Sequence, residues 1–376
     1  MIRDPLALVD KLAAQLDRAG ARIDRLRFTS GTLHPQLLAW GVFWSRGARA
    51  RPWTGLHGVL ASDAYKGSPA QYVREQRRPF RRRLTGLEEG RDHALLHELR
   101  AEGLTDYFAA PMLFSSGVAN FFTFATGAPQ GFSDADLERL GALVNLLAPL
   151  IQIAEARRMT LGLLDTFVGP RISERILHGQ VKRGDGDRID AAFWYSDLRG
   201  FTALSESLAA DELLRLLNDY FEHCAAAAAA RGGEILQFIG DAILIVFEVK
   251  RPGEEPAVCE AALDAAVDAF AALAVVNHRR RRAALPPIEF GLGLHVGSVT
   301  HANVGAPGRL AFNVVGAAVN KTARIQALTK DAGVPLLMSR EFAARIARPL
   351  RGAGSFDLRG VAGMQEVFRL PEEKGL

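Results

Sequence analysis

The 376-residue chain is 48% hydrophobic and 23% charged with a formal net charge of +4, the balance of a globular protein with material for two cores rather than of a disordered chain. Its two cysteines, Cys224 and Cys259, exclude a disulfide framework or a cysteine metal cluster and read as buried reduced thiols. No uninterrupted apolar run approaches the length of a bilayer crossing, and Met1-Ile2-Arg3-Asp4-Pro5 leads into an amphipathic pattern; the expectation is a cytoplasmic protein without stable membrane insertion.

In chain order, the first region reads as mixed α/β, with strand-like segments at 38–44 and 119–125. Trp40, Trp44, Trp53, Tyr107 and Phe108 are candidates for lining a ligand pocket, although aromatics on alternating strand positions more often pack a core. The arginine runs at 77–83 and 279–282 lack aromatic interleaving or a recognised motif; they read as solvated surface, and no nucleic-acid partner is expected. A long helix starts at Ser133 as N-cap, with Asp136 three residues on and Phe132 and Leu137 placed as a staple. Pro149 is expected to kink it or end its first half before the helical pattern resumes over 151–164. Leu143, Leu146, Leu150, Ile153 and Leu161 form an apolar seam. Gly169-Pro170 punctuates, 171–177 reads as a short helix, and Gly184-Asp185-Gly186-Asp187 marks a loop.

The second region reads as strand 191–197, helix 209–230, strands 234–239 and 242–248, helix 255–282 and strand 288–296, the βαββαβ order of a ferredoxin-like α+β unit. A strand at 310–315, a helix carrying Asn320 and Arg324, and strands near 335–339, 354–358 and 365–370 follow. Over 290–297 the large apolar residues fall on one face and glycines with His295 on the other. That glycine face is expected to admit a ligand or partner chain. His295 reads as structural rather than as a base.

Two carboxylates carry the chemistry. Asp197 closes an apolar strand and enters Leu198-Arg199-Gly200-Phe201-Thr202, where glycine lets backbone N–H groups approach a phosphate. Asp241 sits in a glycine-marked turn between two β-rich runs. Carboxylates from separate strands suit one or two Mg2+ ions, which take hard oxygen ligands and leave positions for phosphate and water. Asn320 and Arg324 are spaced i, i+4 and can reach one site.

Ser196-Asp197-Leu198-Arg199-Gly200-Phe201-Thr202, Gly232-Gly233-Glu234, Ile239-Gly240-Asp241 and Val315-Gly316-Ala317-Ala318-Val319-Asn320-Lys321-Thr322-Ala323-Arg324 together resemble the signatures of class III nucleotidyl cyclases. The end of the first region, from Pro111 through Ser133 into a long helix, resembles the end of a GAF domain. The organisation expected is a GAF-like regulatory or dimerisation domain over 1–151, a helical linker over 152–185 and a catalytic domain over 186–376. A small-molecule or protein regulator would act on the first domain.

The resemblance implies Mg2+ or Mn2+, two per active site, held by Asp197, Asp241 and the Leu198 carbonyl. One ion would lower the pKa of the ribose 3′-hydroxyl and the other grip the triphosphate. Asn320 would orient the ribose and Arg324 stabilise charge developing on the phosphates. Gly200, Phe201, Thr202 and Arg359 would contact phosphate. Because the family's sites draw on opposite subunits, a homodimer with two composite sites is implied.

At the base-reading positions the chain departs from the pattern. Adenylate cyclases usually place Lys where Gln237 stands and Asp or Thr where Asn313 stands; guanylate cyclases carry Glu and a small residue. Two amides can present either polarity. Gln237 removes the carboxylate that guanine would need, so the expected reaction is ATP to 3′,5′-cyclic AMP and pyrophosphate. The alternatives are a guanylate cyclase using GTP and a silent nucleotide-binding module, against which intact Asp197, Asp241, Asn320 and Arg324 argue. A diguanylate cyclase is disfavoured because Ile235-Leu236 follows Glu234.

Overall fold

The computed structural model describes residues 4–32, 37–115, 119–306 and 308–371, so the opening Met1-Ile2-Arg3 lies outside the described residues. The chain divides into two compact units, Met1–Pro170 and Arg171–Leu376.

The first unit contains α1 (Pro5–Arg18), β1 (Arg25–Gly31), β2 (Leu37–Ser45), β3 (Arg51–Leu56), α2 (Pro69–Gln76), β4 (Phe80–Arg83), α3 (Ala94–Ala101), β5 (Asp106–Leu113), β6 (Ala119–Thr126) and α4 (Asp134–Val168). Its strands form one antiparallel sheet in the order β3-β2-β1-β6-β5-β4. Strand alternation sends Leu26, Phe28, Val42, Phe122 and Phe124 to one face, where α4 covers them with Leu140, Val144, Ala148 and Ile151. The other face carries Tyr107, Ala109 and Phe121 against Val73 of α2 and Leu96 and Leu99 of α3.

The start of α4 follows its sequence signals. Ser133 Oγ accepts from the Asp136 N–H at 3.1 Å while Asp136 accepts from the Ser133 N–H at 3.0 Å, and Phe132 and Leu137 join the same cluster. Pro149 does not end the helix, which continues to Val168. Its buried residues lie on both sides of the proline, so packing on the sheet outweighs the lost hydrogen bond.

By length and composition α4 is also apolar enough to cross a bilayer, although it holds no uninterrupted apolar run of that length. The reason is an apolar residue set on two faces. One packs the sheet, and the other leaves Leu146 74% and Ile153 63% exposed with Leu150 between them.

The second unit contains α5 (Pro170–Leu177), which begins at the boundary, then β7 (Gly186–Leu198), α6 (Phe201–Ser207), α7 (Ala210–Ala230), β8 (Glu234–Ile239), β9 (Ala242–Glu248), α8 (Glu255–Arg282) and β10 (Phe290–Ala306). It ends with β11 (Arg309–Val315), α9 (Ala317–Asp331), β12 (Leu336–Ser339), α10 (Arg340–Ala343), β13 (Arg351–Asp357) and β14 (Met364–Arg369). The sheet order is β13-β14-β12-β10-β7-β9-β8, with β11 paired to β10. The elements β7, α7, β8, β9, α8 and β10 thus run in βαββαβ sequence and lie β10-β7-β9-β8 in space.

One face of this sheet buries Trp194, Ile245, Leu292 and Leu294 against Leu216, Tyr220 and Cys224 of α7 and an alanine-rich stripe of α8. Both cysteines are free and buried; burial pushes the Cys259 thiol up to about 12 and raises Cys224 as well. The opposite face is covered by α9. The arginine runs are mostly exposed, as expected, with Arg77, Arg78, Arg279, Arg281 and Arg282 on the surface, but three of their members are tied into the fold. Arg81 meets Asp106 at 3.0 Å, Arg82 meets Asp92 at 2.7 Å, and Arg280 donates to the Pro286 carbonyl at 2.7 Å.

Candidate active site

Asp197 occupies the end of β7, where it is register partner to Ala242 of β9 and Gly291 of β10. Asp241 immediately precedes Ala242 in a turn whose Gly240 has φ +63°, a left-handed conformation that suits glycine. The strand pairing therefore sets the two carboxyls side by side, within hydrogen-bonding reach of each other. Burial first, then the Asp241 charge and the shared hydrogen bond, raise Asp197 to about 6, while the Leu198 N–H acts in the opposite direction.

Two residues back on the same strand face, Tyr195 is raised by burial and then by both aspartates. Ser196, on the opposite face, accepts from Trp194 Nε1 at 2.8 Å and from the Tyr220 hydroxyl at 2.7 Å. These buried bonds hold the strand that presents Asp197. Sequence reasoning missed both roles, although the i, i+2 alternation of β7 places Tyr195 beside Asp197.

Past Asp197, Leu198 is buried and the Arg199 N–H donates to the Glu289 carbonyl at 2.8 Å. The Arg199 guanidinium reaches the carbonyls of Thr329 and Val334 at 3.3 and 2.9 Å, tying the carboxylate loop to the C-terminal end of α9. Gly200 is left-handed at φ +69° and opens α6. The Phe201 side chain packs on the core and Thr202 is exposed, so any phosphate contact there falls to backbone N–H groups and the Thr202 hydroxyl.

The glycine face of β10 is closed by α9 of the same chain, not open to a ligand or partner chain. A Cβ on Gly293 would lie 2.6 Å from both the Thr322 carbonyl oxygen and the Gln326 nitrogen, and one on Gly297 would lie 3.0 Å from the Ala318 Cβ. The glycines admit the helix backbone. His295 beside them is buried, pairs with the Ser339 hydroxyl at 2.8 Å and is held down to about 4, chiefly by burial. It is a packed, neutral imidazole.

Asn320 is exposed on α9, and Arg324 lies one turn on with its Nη1 3.4 Å from where a Gly360 Cβ would stand. That turn, 358–360, joins the β13–β14 hairpin and carries the exposed Arg359. Arg324 and Arg359 are thus brought to one place, at the end of the sheet opposite β9 and β8. Among the described residues no ion pair joins Arg324 to either aspartate.

Gln237 is half-buried on β8 and Asn313 exposed on β11, its Oδ1 accepting from the Val314 N–H at 2.8 Å. Through Leu244, Gln237 falls level with Tyr195; through Ala302, Asn313 falls level with Gly186. Nine residues along β7 separate these levels, about 30 Å at strand rise, with β9, β7 and β10 between. One chain does not bring the two amides together.

The carboxylate pair fits a hard divalent cation. Its donors are acceptor-only when ionised, its mutual repulsion is what an added positive charge relieves, and one or two carboxylates are how Mg2+ is usually held. Among the described residues no cluster of three His, Cys, Asp or Glu ligands occurs.

Residues 187–352 match the family model described as the adenylate and guanylate cyclase catalytic domain. An adenylate cyclase of Anabaena cylindrica is 30% identical over 254 residues, covering 63% of this chain and 48% of that protein. Adenylate cyclase 1 of Rhizobium meliloti (strain 1021) is 29% identical over 156 residues, 40% of this chain and 23% of that one. A solved structure of a bacterial light-regulated adenylyl cyclase aligns over 69% of this chain and 83% of its own, with TM-score 0.51 at 18% identity, a likeness of fold alone. The second unit thus carries a match to the adenylate and guanylate cyclase catalytic domain over residues 187–352. The chain spans about half or less of the length of these two curated relatives.

Proposed function

We propose that this protein is an adenylate cyclase, converting ATP to 3′,5′-cyclic AMP and pyrophosphate at composite sites of a homodimer. The observation that carries the reading is the Asp197–Asp241 pair, two carboxyls in hydrogen-bonding reach with Asp197 raised to about 6. Mg2+ or Mn2+ held there, with the Leu198 carbonyl as a further ligand, would supply acidification of the ribose 3′-hydroxyl and neutralisation of phosphate charge. The backbone of Gly200, Phe201 and Thr202 receives phosphate from the carboxylate side. From the partner chain, Asn320 orients the ribose, while Arg324 and the neighbouring Arg359 stabilise charge on the phosphates as the bond to pyrophosphate breaks.

The separation of the parts supports dimerisation. Gln237 and Asn313 can read one base only if they come from two chains, and the Arg324 guanidinium lies beside Gly360 with no ion pair to the carboxylates of its own chain among the described residues. The adenine assignment rests on Gln237, which lacks a carboxylate for the guanine edge. The first unit, with its antiparallel sheet leading into α4, supports a GAF-like regulatory or dimerisation role in a cytoplasmic protein. The exposed Leu146, Leu150 and Ile153 offer a seam for a second copy.

The test is turnover of purified protein with ATP and with GTP, in Mg2+ and in Mn2+, with the product identified by mass. Cyclic AMP as the main product, abolished in folded Asp197→Asn and Asp241→Asn variants, is the expected outcome. Cyclic GMP as the main product rejects the base assignment, and wild-type turnover in either variant rejects the carboxylate assignment.

A further inference from the structure

The face of the first unit's sheet that α2 and α3 cover holds a cavity of about 560 Å³, and Arg27 of β1 lines it. This volume is within the range of small-molecule sites. The Arg27 guanidinium carbon stands 3.7 Å from the centre of the Trp53 ring system. Its Nε is sealed from solvent without a hydrogen-bond partner. Among the described residues no carboxylate pairs with it: the adjacent Arg25 takes Glu102 at 2.7 Å, and Asp63 and Glu98 line the cavity without reaching Arg27. Burial lowers the Arg27 pKa, yet an arginine remains charged at any working pH.

The Trp53 platform is built into the sheet. Its indole Nε1 donates to the Phe28 carbonyl at 3.2 Å, reaching from β3 across β2 to β1. Gly41 makes the crossing possible, since a Cβ there would lie 2.5 Å from that nitrogen; one on Gly55 would stand 3.2 Å from the ring. Next to Arg27 on the same strand face, Thr29 is 8% exposed and its hydroxyl has no partner. Thr123 is bonded to the buried Tyr107 hydroxyl. Phe121 and Leu99 complete an apolar wall.

A half-buried guanidinium with a sealed, unpartnered Nε and no counter-ion, and a buried hydroxyl without a partner, are both unfavourable in isolation. A ligand that supplies the missing acceptors satisfies both at once. We propose that this cavity binds a small, mostly apolar organic acid, its single carboxylate taken by Arg27 and Thr29 and its body lying against Phe121 and Leu99. A planar guanidinium matches a carboxylate with two parallel donors, and the apolar wall disfavours a polyanion.

The inference goes beyond the catalytic reading and is measured without turnover, so a catalytically silent protein leaves it intact. The full chain is titrated calorimetrically with benzoate, phenylacetate, indole-3-acetate and hexanoate, each beside its primary amide. Expected is saturable binding of one equivalent per chain by at least one acid, with Kd at or below about 1 mM. The matching amide and the Arg27→Met variant should each bind at least about tenfold more weakly.

The near-isosteric Thr29→Val should weaken the acid severalfold, and it carries the test if the methionine variant does not fold. No saturable binding by any acid up to about 10 mM overturns the proposal. So does an amide that binds as well as its acid, or an unchanged affinity in the folded variants.

Discussion

Replacing Gly293 by alanine presses directly on the helix that carries Asn320 and Arg324. The new Cβ would stand 2.6 Å from the Gln326 nitrogen and the Thr322 oxygen, and 3.0 Å from the Gln326 Cα. Ordinary contact begins near 3.4 Å, so α9 and β10 must separate by about 0.8 Å, and the opposing atoms are backbone that no rotamer change can move. Overpacking of this kind costs about 1–3 kcal/mol of stability. A displacement approaching 1 Å of positioning residues costs up to about 10²-fold in rate, so kcat/KM for the cyclase should fall roughly 30- to 100-fold.

Gly297→Ala provides the graded comparison. Its nearest atoms are the Ala318 Cβ at 3.0 Å and the His295 ring at 3.2 Å, a shortfall of about 0.4 Å or less against about 0.8 Å at Gly293, so about 1 kcal/mol or less is expected. Gly141→Ala, in α4 with nothing within 4 Å, should stabilise by about 0.5–1 kcal/mol. Thermal unfolding and steady-state kinetics on the three variants give the ordering. Gly293→Ala with wild-type stability and kcat/KM would refute the packing argument; destabilisation with unchanged kcat/KM would show that α9 does not carry transition-state contacts.

Three further outcomes follow. An inactive Asp197→Asn chain mixed with an inactive Arg324→Ala chain should recover activity through heterodimers with one intact site; heterodimers that form yet stay inactive count against the shared geometry. Gln237→Lys should sharpen adenine selectivity and Gln237→Glu shift the enzyme toward GTP or silence it; an unchanged ATP-to-GTP ratio of kcat/KM in both means Gln237 does not face the base. His301 is held down to about 4 by burial, then by Arg171 and Arg175, against the opposing Asp187. The fold favours its neutral form, so its contribution is complete above about pH 6.5 and is lost as pH falls toward 4. His301→Leu should flatten this acid limb by about 1–3 kcal/mol, read from urea unfolding at pH 7 and 4.5; an unchanged difference between the two pH values rejects the assignment.

What the sequence made legible was local. The β8–β9 hairpin could be read because Gly240 punctuates two apolar runs, and the start of α4 because Ser133 and Asp136 cap each other. β10 was cut short at residue 296, yet it continues to Ala306. Its second half pairs with 186–190, where Gly186 and Asp187 read as loop; the pairing, with Asp187 held by Arg175 at 3.0 Å, makes strand of a segment with loop composition. The motif that holds Ser196 and Arg199 shows neither the grip of Arg199 on α9 nor the two buried donors that Ser196 receives. Both roles depend on partners distant in sequence, which periodicity cannot reveal.

The glycine face of β10 shows how such a reading turns over and still leads to function. Alternating glycines do mark a close backbone approach, but the approaching backbone is α9. Seating that helix on Gly293 and Gly297 spends its small residues on packing and leaves Asn320 exposed, while Arg324 turns toward the 358–360 turn. Asp197 and Asp241 lie on the opposite side of β10 from that turn. In the proposed dimer, each carboxylate pair takes Asn320 and Arg324 from the other chain, two equivalent sites from two half-sites. On this geometry catalysis should vary with protomer concentration through the dimer equilibrium.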